Sequence, residues 1–331
     1  GGPAFGWSFW KNCIDSYRNT SPHDGYHILA KWSKMIEDKY SSISLEKLNE
    51  EEDEPPKEVF FVYTSNIDGH FTRVPTFQDR VVECHGSTLF LQCQNDYGVD
   101  CTQGNKTWAL PQDGLSNLTV DPKTHLVSGK FPLCPGTCNM VARPDVLMFG
   151  DFKWVGQRTS NQEDKFYHWK DGVDRLASGK YIVTRKEDEE QKGEDEKNKK
   201  KEAVPFRPTA YFPEDSDEED VDTDITKGVV VEIGAGTTIP TVRHQAERFC
   251  EMTGATLIRI NVHDSHPPYA DTGSFWKKKT EIETQYECLS LPLGALEALS
   301  VLDWLIEKER EGLVIDDEET EKIEKEEGAE K

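Results

Sequence analysis

The sequence lacks an apolar run long enough to cross a membrane, and it is poor in basic residues. No stretch approaches the roughly 20 apolar residues that a membrane-spanning helix needs, so no membrane association is predicted. The 331 residues include 39 Lys and Arg against 62 Asp and Glu, which gives a formal net charge of −23. This balance argues against nucleic-acid binding, which depends on a basic surface. It favours basic partners such as Lys- and Arg-rich peptides, unless much of the acid is solvated, disordered tail.

The sequence also shows no secretory signal and does not begin with Met. It starts Gly1-Gly2-Pro3, which indicates a fragment or a processed product. Without a signal peptide, we expect an intracellular protein, either cytoplasmic or nuclear. In such a chain the eight cysteines favour metal ligands or free thiols over a disulfide framework.

Apolar runs alternate with amphipathic segments along much of the chain. Strands are predicted at 59–64, within 79–86 and at 255–262, and a strand, a glycine turn and a helix follow residue 227. An earlier helix is predicted to begin at Pro22 behind an N-cap at Ser21. Apolar strands that alternate with helices indicate an α/β fold with a parallel sheet covered by helices on both faces.

Small polar residues follow the predicted strands at two places. The segment 64–68 (TSNID) ends one strand, and 234–238 (GAGTT) ends another. Ligands of open parallel sheets bind beyond the carboxyl ends of the strands. Gly234 and Gly236 would let a ligand approach the backbone, and the next helix offers free N–H groups to an anion. A tight strand-to-helix turn accounts for the same glycines.

His85 also follows a short strand, in the segment 83–87 (ECHGS). A histidine with an unperturbed pKa of about 6.5 can act as a general base at neutral pH. The alternative is a structural histidine whose ring is satisfied by hydrogen bonds.

Four of the cysteines lie in a region poor in core-forming residues. Cys93 and Cys101 form a loosely spaced pair, and Cys134 and Cys138 form a closely spaced one. Structural zinc is bound by four tetrahedral thiolates that often come from two such pairs. The spacing predicts one zinc ion, with unpaired thiols as the alternative.

Taken in order, these motifs resemble the sirtuins, a family of NAD-dependent protein deacylases. The likeness is carried by TSNIDGHF, VVECHGS, the two cysteine pairs, RPDVLMFGD and IGAGTT with LIRIN, across about residues 59 to 300. It implies a Rossmann-like domain with an inserted zinc-binding module, and NAD and a structural zinc ion as cofactors. The implied reaction transfers the acyl group of a lysine in a protein or peptide to ADP-ribose and releases nicotinamide.

The resemblance also implies roles for single residues. His85 matches the catalytic base, Asn66 the contact to the nicotinamide ribose, and Asp68 the contact to the carboxamide. Other matched positions are Ser65, Ile67, Gly234, Gly236, Thr237 and Asn261 for the cofactor, and Val146, Phe149 and Gly150 for the acyl-lysine segment.

The sequence departs from the family pattern in several places. Ser65 stands where the family has Gln, Asp151 replaces Glu, and Pro240 follows the glycine turn one residue early. The first glycine motif of the family is missing. The missing motif favours an inactive sirtuin-like protein that binds NAD or a peptide. A protein ADP-ribosyltransferase also stays open, because the sequence does not separate transfer of ADP-ribose to a protein from deacylation.

The motifs predict six segments. They are the truncated first part of the Rossmann-like NAD-binding domain (1–85), the zinc-binding module (86–143), a return to the first domain with the substrate segment (144–185), a disordered acidic insert (186–224), the C-terminal part of the domain (225–312) and an acidic tail (313–331).

Overall fold

The structure is a computed structural model that describes residues 2–49, 53–94, 101–186, 228–267 and 286–313. The helices in these ranges are α1 (Pro3–Asn19), α2 (Asp24–Ser41), α3 (His70–Arg73), α4 (Gln157–Ala177), α5 (Thr241–Thr253) and α6 (Ala295–Arg310). The strands are β1 (Ile43–Lys47), β2 (Val62–Thr64), β3 (Val81–Glu83), β4 (Gly86–Gln92), β5 (Thr107–Ala109), β6 (Leu118–Val120), β7 (Val127–Gly129), β8 (Arg143–Val146), β9 (Tyr181–Arg185), β10 (Val229–Ile233), β11 (Thr256–Ile260) and β12 (Cys288–Leu291). None of the helices described is both long and apolar enough to span a bilayer.

Two small parallel sheets confirm the α/β prediction. Strands β10, β11 and β12 lie side by side in that order, and β2 pairs with β3. The apolar, β-branched sequences of β10 and β11 suit strands that are covered on both faces. The described parallel strands divide into a pair and a triplet. A single Rossmann-like sheet therefore stays a prediction.

One hydrophobic core joins the two parallel sheets. Buried side chains of β2, β3 and β11 pack in it with residues of α2 and α6: Val62, Val81, Ile260, Tyr26, Leu29, Trp32, Ala298 and Leu299. The i, i+3 spacing of the three α2 residues places them on one face of that helix. At its edge, Trp32 Nε1 donates a hydrogen bond of 2.8 Å to Asp303 Oδ1. Helices α2 and α6 therefore fix the two sheets relative to each other.

Helix α2 begins two residues later than the sequence predicts. Its N-cap is His23, whose Nδ1 accepts a hydrogen bond of 3.1 Å from Gly25 N. Ser21 and Pro22 precede the cap and are not helical. The imidazole of His23 thus takes the capping role that the sequence pattern assigned to the hydroxyl of Ser21.

A second core lies in the cysteine-rich region. Strand β4 pairs antiparallel with β5 on one side and β8 on the other, and β6 pairs with β7. Helix α1 packs against this unit, and its Trp7 Nε1 donates a hydrogen bond of 3.0 Å to Ala142 O. The buried residues of this core are Trp7, Ile14, Leu91, Leu110, Leu115, Leu118, Val127 and Ala142. Helix α1 therefore belongs to the core of the cysteine-rich unit.

Strands β1 and β9 pair antiparallel next to the predicted acidic insert. Of the insert 186–224, only Lys186 is described, and its N–H donates to Ser42 O at 3.0 Å. The rest of the insert and the tail after Leu313 lie outside the described residues.

A buried ion network holds β10, β11 and α5 together. Arg259 is fully buried and donates to both carboxylate oxygens of Glu232, at 2.7 and 3.0 Å. It also donates to Glu247 Oε1 at 2.6 Å and to His266 O at 2.8 Å. Each guanidinium nitrogen therefore has an acceptor, which is what a buried charge requires.

Glu232→Gln is expected to lower the free energy of unfolding by about 3–5 kcal/mol, because it leaves part of a buried charge uncompensated. Urea denaturation followed by circular dichroism measures this change. Glu247→Gln is the matched control, with a smaller expected effect, since the Glu247 side chain is 20% exposed and Glu232 still neutralises Arg259. Equal effects of the two substitutions would contradict the dominant role given to Glu232.

Candidate functional site

His85 lies where two parallel strands end. Strand β2 ends at Thr64 and β3 at Glu83, and Cys84 N donates to Thr64 O at 2.9 Å. The residues that follow both strands therefore meet at one edge. There the backbone of Ser65 hydrogen-bonds the half-buried His85 ring. The structure thus brings Ser65 and His85 together, whereas a crevice that Asn66 and Asp68 share with the His85 ring stays a prediction.

The surroundings of His85 favour its neutral form. Burial lowers the pKa of His85, and the hydrogen bond with the Ser65 backbone opposes this. Burial disfavours the imidazolium ion because the charge loses its hydration. A neutral imidazole at pH 7 can accept a proton, which is the property that a general base needs.

Polar groups hold the turn after β2 in one conformation. Asp68 Oδ1 accepts a hydrogen bond of 2.8 Å from His70 N at the start of α3. The Ile67 carbonyl accepts from both the N–H and the hydroxyl of Thr88, each at 2.9 Å. The turn is therefore tied to β4 and presents its side chains in fixed positions.

Helix α2 contacts the same turn through Tyr26. Its phenol hydrogen-bonds the Asn66 side chain, and burial together with the nearby charge of Asp68 raises the pKa of Tyr26 to about 12. Asn66 nevertheless remains exposed, so its amide is accessible to a ligand. Tyr26 is therefore a neighbour of Asn66 that the sequence pattern did not indicate.

The glycine turn gathers the second group of predicted cofactor residues. Gly234 has φ +65° and its N–H donates to Ile260 O at 2.8 Å. The Asn261 side chain donates to Ala235 O at 3.1 Å. These contacts bring four predicted residues to one strand end: Gly234, Gly236, Thr237 and Asn261.

Asp264 is a residue of this turn that the sequence analysis missed. Its carboxylate accepts a hydrogen bond of 3.3 Å from Thr237 N, and its own N–H donates to Asn261 Oδ1 at 3.1 Å. Arg243 donates to its carbonyl oxygen. The Asp264 carboxylate thus already accepts the hydrogen bond of Thr237 N, one of the N–H groups that were expected to face an anionic cofactor. Nothing in the sequence pattern marks Asp264, because its role depends on how the chain folds after β11.

The two groups of predicted cofactor residues belong to different sheets. Within the part of the chain that the structure describes, no hydrogen bond joins the turn 64–70 to the glycine turn 234–237. They are connected through the shared hydrophobic core instead. That one ligand contacts both turns stays a prediction.

The predicted substrate segment begins beside His85. Val146 is buried and pairs with Gly86, and Leu147 N donates to His85 O at 2.9 Å. Gly86 has φ +79°, and a Cβ at this position would lie 2.1 Å from Asp145 O, so only glycine fits. Phe149 and Gly150, further along, are exposed. An apolar ligand could therefore contact Phe149 without displacing the core.

The four predicted metal ligands form one cluster. The sulfur atoms of Cys93, Cys101, Cys134 and Cys138 all lie within 4.8 Å of one another. Individual distances are 3.4 Å from Cys93 to Cys138 and from Cys101 to Cys138, 3.6 Å from Cys101 to Cys134, and 3.9 Å from Cys93 to Cys101. Tetrahedral Zn–S bonds of ~2.3 Å require S–S distances of roughly 3.8 Å. The cluster therefore fits a tetrahedral metal ion.

The thiols of the cluster differ in pKa because their surroundings differ. Hydrogen bonds, above all from the backbone of Gln103, lower the pKa of Cys101 to about 6. Burial raises the pKa of Cys134. Metals bind thiolates, so Cys101 is the thiol already prepared for ligation, whereas the metal itself must favour ionisation of Cys134.

Buried acidic residues lie on the strands next to His85, and the sequence analysis missed them. Glu83 is buried and pairs with Arg158 of α4, while Asp145 is fully buried across the ladder from Ser87. Burial raises the pKa of Asp145 to about 6, while Arg158, Trp154 and Arg143 oppose this rise and Glu83 adds to it. The local sequence does not reveal such residues, because β3 is otherwise apolar and the short, polar segment Arg143–Val146 of β8 has no strand pattern that would predict its burial.

Comparisons with known proteins do not identify the chain. It matches none of the family models, and no curated protein is significantly similar to it.

Proposed function

We propose that the chain is a sirtuin-type, NAD-dependent protein-lysine deacylase. The observation that carries this proposal is the meeting of Ser65 and the half-buried His85 at the ends of two parallel strands, next to β8. Asn66 and Asp68 are on the turn that includes Ser65, and Val146 leads to the exposed Phe149. The predicted base, the cofactor residues of the turn after β2 and the start of the substrate segment support this proposal because they adjoin one sheet edge.

The proposed roles follow from the chemistry of these side chains. NAD, when bound, supplies the ADP-ribose that accepts the acyl group as nicotinamide leaves. His85 takes a proton from a ribose hydroxyl, for which its neutral ring is suited. Asn66 donates and accepts hydrogen bonds through its exposed amide. The buried Val146 and the exposed Phe149 flank the acyl-lysine and exclude water from it.

The residues of the glycine turn suit an adenosine more directly than a pyrophosphate. Gly234 and Gly236 leave the backbone open to close approach, since a Cβ at Gly234 would meet nothing within 4 Å. The carboxylate of Asp264 would repel an anion placed at Thr237 N. We therefore assign Gly234, Gly236, Thr237 and Asn261 to the uncharged end of NAD.

Zinc is the metal that we propose for the cysteine cluster. Four thiolates in tetrahedral spacing are the ligand set of structural zinc sites. With four protein ligands no position remains for a reactant, so the ion supports the fold. The acidic chain, with its net charge of −23, favours a basic lysine-containing peptide as the substrate. An intracellular location, cytoplasmic or nuclear, is part of the same proposal.

A non-catalytic NAD- or peptide-binding protein is the second candidate. Two observations favour it: the Asp264 carboxylate already bound at Thr237 N, and Ser65 at the position where sirtuins have Gln. ADP-ribosyl transfer to a protein would use the same cofactor residues.

Release of nicotinamide from NAD is the measurement that separates these functions. With acetyl-lysine and longer acyl-lysine peptides, we expect nicotinamide release that depends on the peptide and matches the amount of deacylated product. Nicotinamide release with ADP-ribose attached to protein would support the transferase. NAD binding in calorimetry, without release under any of these conditions, would contradict the deacylase proposal and favour the binding protein.

A further inference from the structure

Asp145 is an unusual residue for a protein core. It is 0% exposed, and within the described part of the chain neither of its carboxylate oxygens makes a hydrogen bond of good geometry. Buried carboxylates are otherwise satisfied by hydrogen bonds or by ion pairs, because desolvation is expensive. The surroundings therefore fit a neutral, protonated Asp145 better than an ionised one.

Unused hydrogen-bond donors lie around the same carboxyl group. Among the described residues, Arg158 Nη1 and Trp154 Nε1 are also buried without a hydrogen bond of good geometry. Both side chains favour the ionised form of Asp145, Arg158 through its charge and Trp154 through a weak hydrogen bond. Arg158 Nη2 meanwhile pairs with Glu83. Two donors and two acceptor oxygens are thus buried together without well-aligned hydrogen bonds, so the arrangement can change when the charge of Asp145 changes.

Each element that packs around Asp145 contributes identifiable groups. Strand β3 presents Glu83, helix α4 presents Arg158, and strand β8 itself presents Arg143, which pairs with Asp151 at 2.7 Å. Strand β4 contributes the uncharged Ser87, which is opposite Asp145 in the ladder. Arg158 is therefore the one cation in this group that Glu83 and Asp145 can share.

The pair of Arg158 and Glu83 connects this cluster to His85. Glu83 is the last residue of β3, two residues before His85. Its N–H donates to Gln162 Oε1 at 3.1 Å, and its carbonyl accepts from the Thr159 hydroxyl at 3.0 Å. The first turns of α4 thus hold the strand end from which His85 projects.

We propose that Asp145 is a proton-controlled positioning residue for His85. When Asp145 is neutral, Arg158 pairs with Glu83 alone, as the structure shows. When Asp145 loses its proton to solvent, its carboxylate attracts Arg158 Nη1 and the Trp154 N–H. Arg158 then bridges the carboxylates of Glu83 and Asp145, and the ion pair that links α4 to the end of β3 becomes weaker. The role at His85 rests on the proposed function, whereas the proton switch does not.

Thermal unfolding of the full chain between pH 4.5 and 8 tests the switch without substrate. The folded-state pKa of Asp145 is raised to about 6, above the usual ~3.9 of the unfolded chain. Between these values the folded state binds the additional proton, so the wild-type protein loses stability as pH rises through this window. The side-chain amide of the Asp145→Asn variant cannot ionise. The difference between the thermal midpoints of Asp145→Asn and the wild type should therefore increase by a few degrees as pH rises, and it should level off above pH 6–7.

Glu83→Gln tests whether Arg158 is shared. It removes a like charge from Asp145 and frees Arg158, so both effects favour ionisation of Asp145. When the effect of Asp145→Asn is measured again in this background, the pH at which the stability difference levels off should fall by roughly one unit, together with the folded-state pKa of Asp145. A stability difference that is flat from pH 4.5 to 8 would overturn the switch, and an unchanged levelling-off pH would overturn the sharing of Arg158.

Two measurements cover the remaining outcomes. If Asp145→Asn does not fold, wild-type protein labelled with carbon-13 at its aspartate carboxyl groups should show one resonance that titrates near pH 6. The absence of such a resonance would overturn the proposal.

The positioning role is tested with an acyl-lysine peptide. The pH profile of kcat/KM should show two ionisations for the wild type and only that of His85 for Asp145→Asn. Identical pH profiles of the two proteins would overturn the positioning role. A chain without deacylase activity but with the pH-dependent stability difference would contradict only the proposed function.

Discussion

Replacing Cys134 with Ser is expected to abolish zinc binding and to unfold the cysteine-rich unit, while the parallel sheets stay folded. Structural zinc sites contribute an apparent ~10–16 kcal/mol in small zinc-binding peptides, more than a small domain can lose. Cys134 is 2% exposed and lies within the cluster of four thiols. Its loss leaves three ligands and a buried hydroxyl in place of the fourth.

Metal content and local stability together measure this effect. The wild-type chain should contain one zinc ion per molecule by mass spectrometry, and Cys134→Ser none. Cys13→Ser is the matched control, because Cys13 is a partly exposed thiol of α1 outside the cluster. It should keep its zinc and its stability. A Cys134→Ser protein that still binds one zinc ion, or a wild type unaffected by a zinc chelator, would contradict the structural zinc site.

Loss of the metal should also release helix α1. This helix contacts the cysteine-rich unit through the hydrogen bond from Trp7 Nε1 to Ala142 O and through Ser8 Oγ, which accepts from Val127 N at 2.7 Å. Amide hydrogen exchange resolves separate unfolding units. After chelation, exchange should therefore increase in α1 and β4–β8 and remain slow in β10 and β11.

Patterns local in sequence predict a substantial part of this fold. The strands β10 and β11 follow from their mainly apolar, β-branched sequences, and the predicted segment 255–262 contains the observed Thr256–Ile260. The cluster of four cysteines follows from residue type and spacing. These features are predictable because the local sequence determines the secondary structure, and because few other partners would suit four thiols.

Features that depend on distant contacts could not be predicted in the same way. Helix α4 is strongly polar, and its buried residues, such as Phe166 and Leu176, are too sparse to mark an apolar face. The pairing of Arg259 with Glu232 joins residues 27 positions apart. Asp264 and Asp145 acquire their roles only when other elements fold against them. The buried charged residues of this fold are therefore recognisable only from the tertiary structure.

His85→Ala is expected to lower the rate of NAD-dependent deacylation by about 10²–10⁴-fold, the usual effect of removing a general base. The fold should survive, because the ring is half-buried and, among the described residues, hydrogen-bonds to the Ser65 backbone alone. The bond from Leu147 N to the His85 carbonyl forms in any variant. Circular dichroism and thermal unfolding check the fold, and nicotinamide release with an acyl-lysine peptide measures the rate.

Two further variants separate proton transfer from binding. His168→Ala removes an exposed histidine of α4 and should leave the rate unchanged. Asn66→Ala should weaken NAD binding as well as turnover, because its amide is expected to contact the ribose and to transfer no proton. His85→Ala should therefore reduce kcat much more than NAD affinity, whereas Asn66→Ala should change both.

The pH dependence gives the most direct test of His85 as the base. Burial lowers the pKa of His85, so the neutral, proton-accepting ring prevails from below pH 6.5 upward. In Asp145→Asn, where the second ionisation is removed, kcat/KM should rise with pH through that lowered pKa and then stay level. Adding His85→Ala should leave a residual rate without this step. If the step persists in the double variant, another group takes the proton, and the assignment of His85 is wrong even if the protein deacylates its substrate.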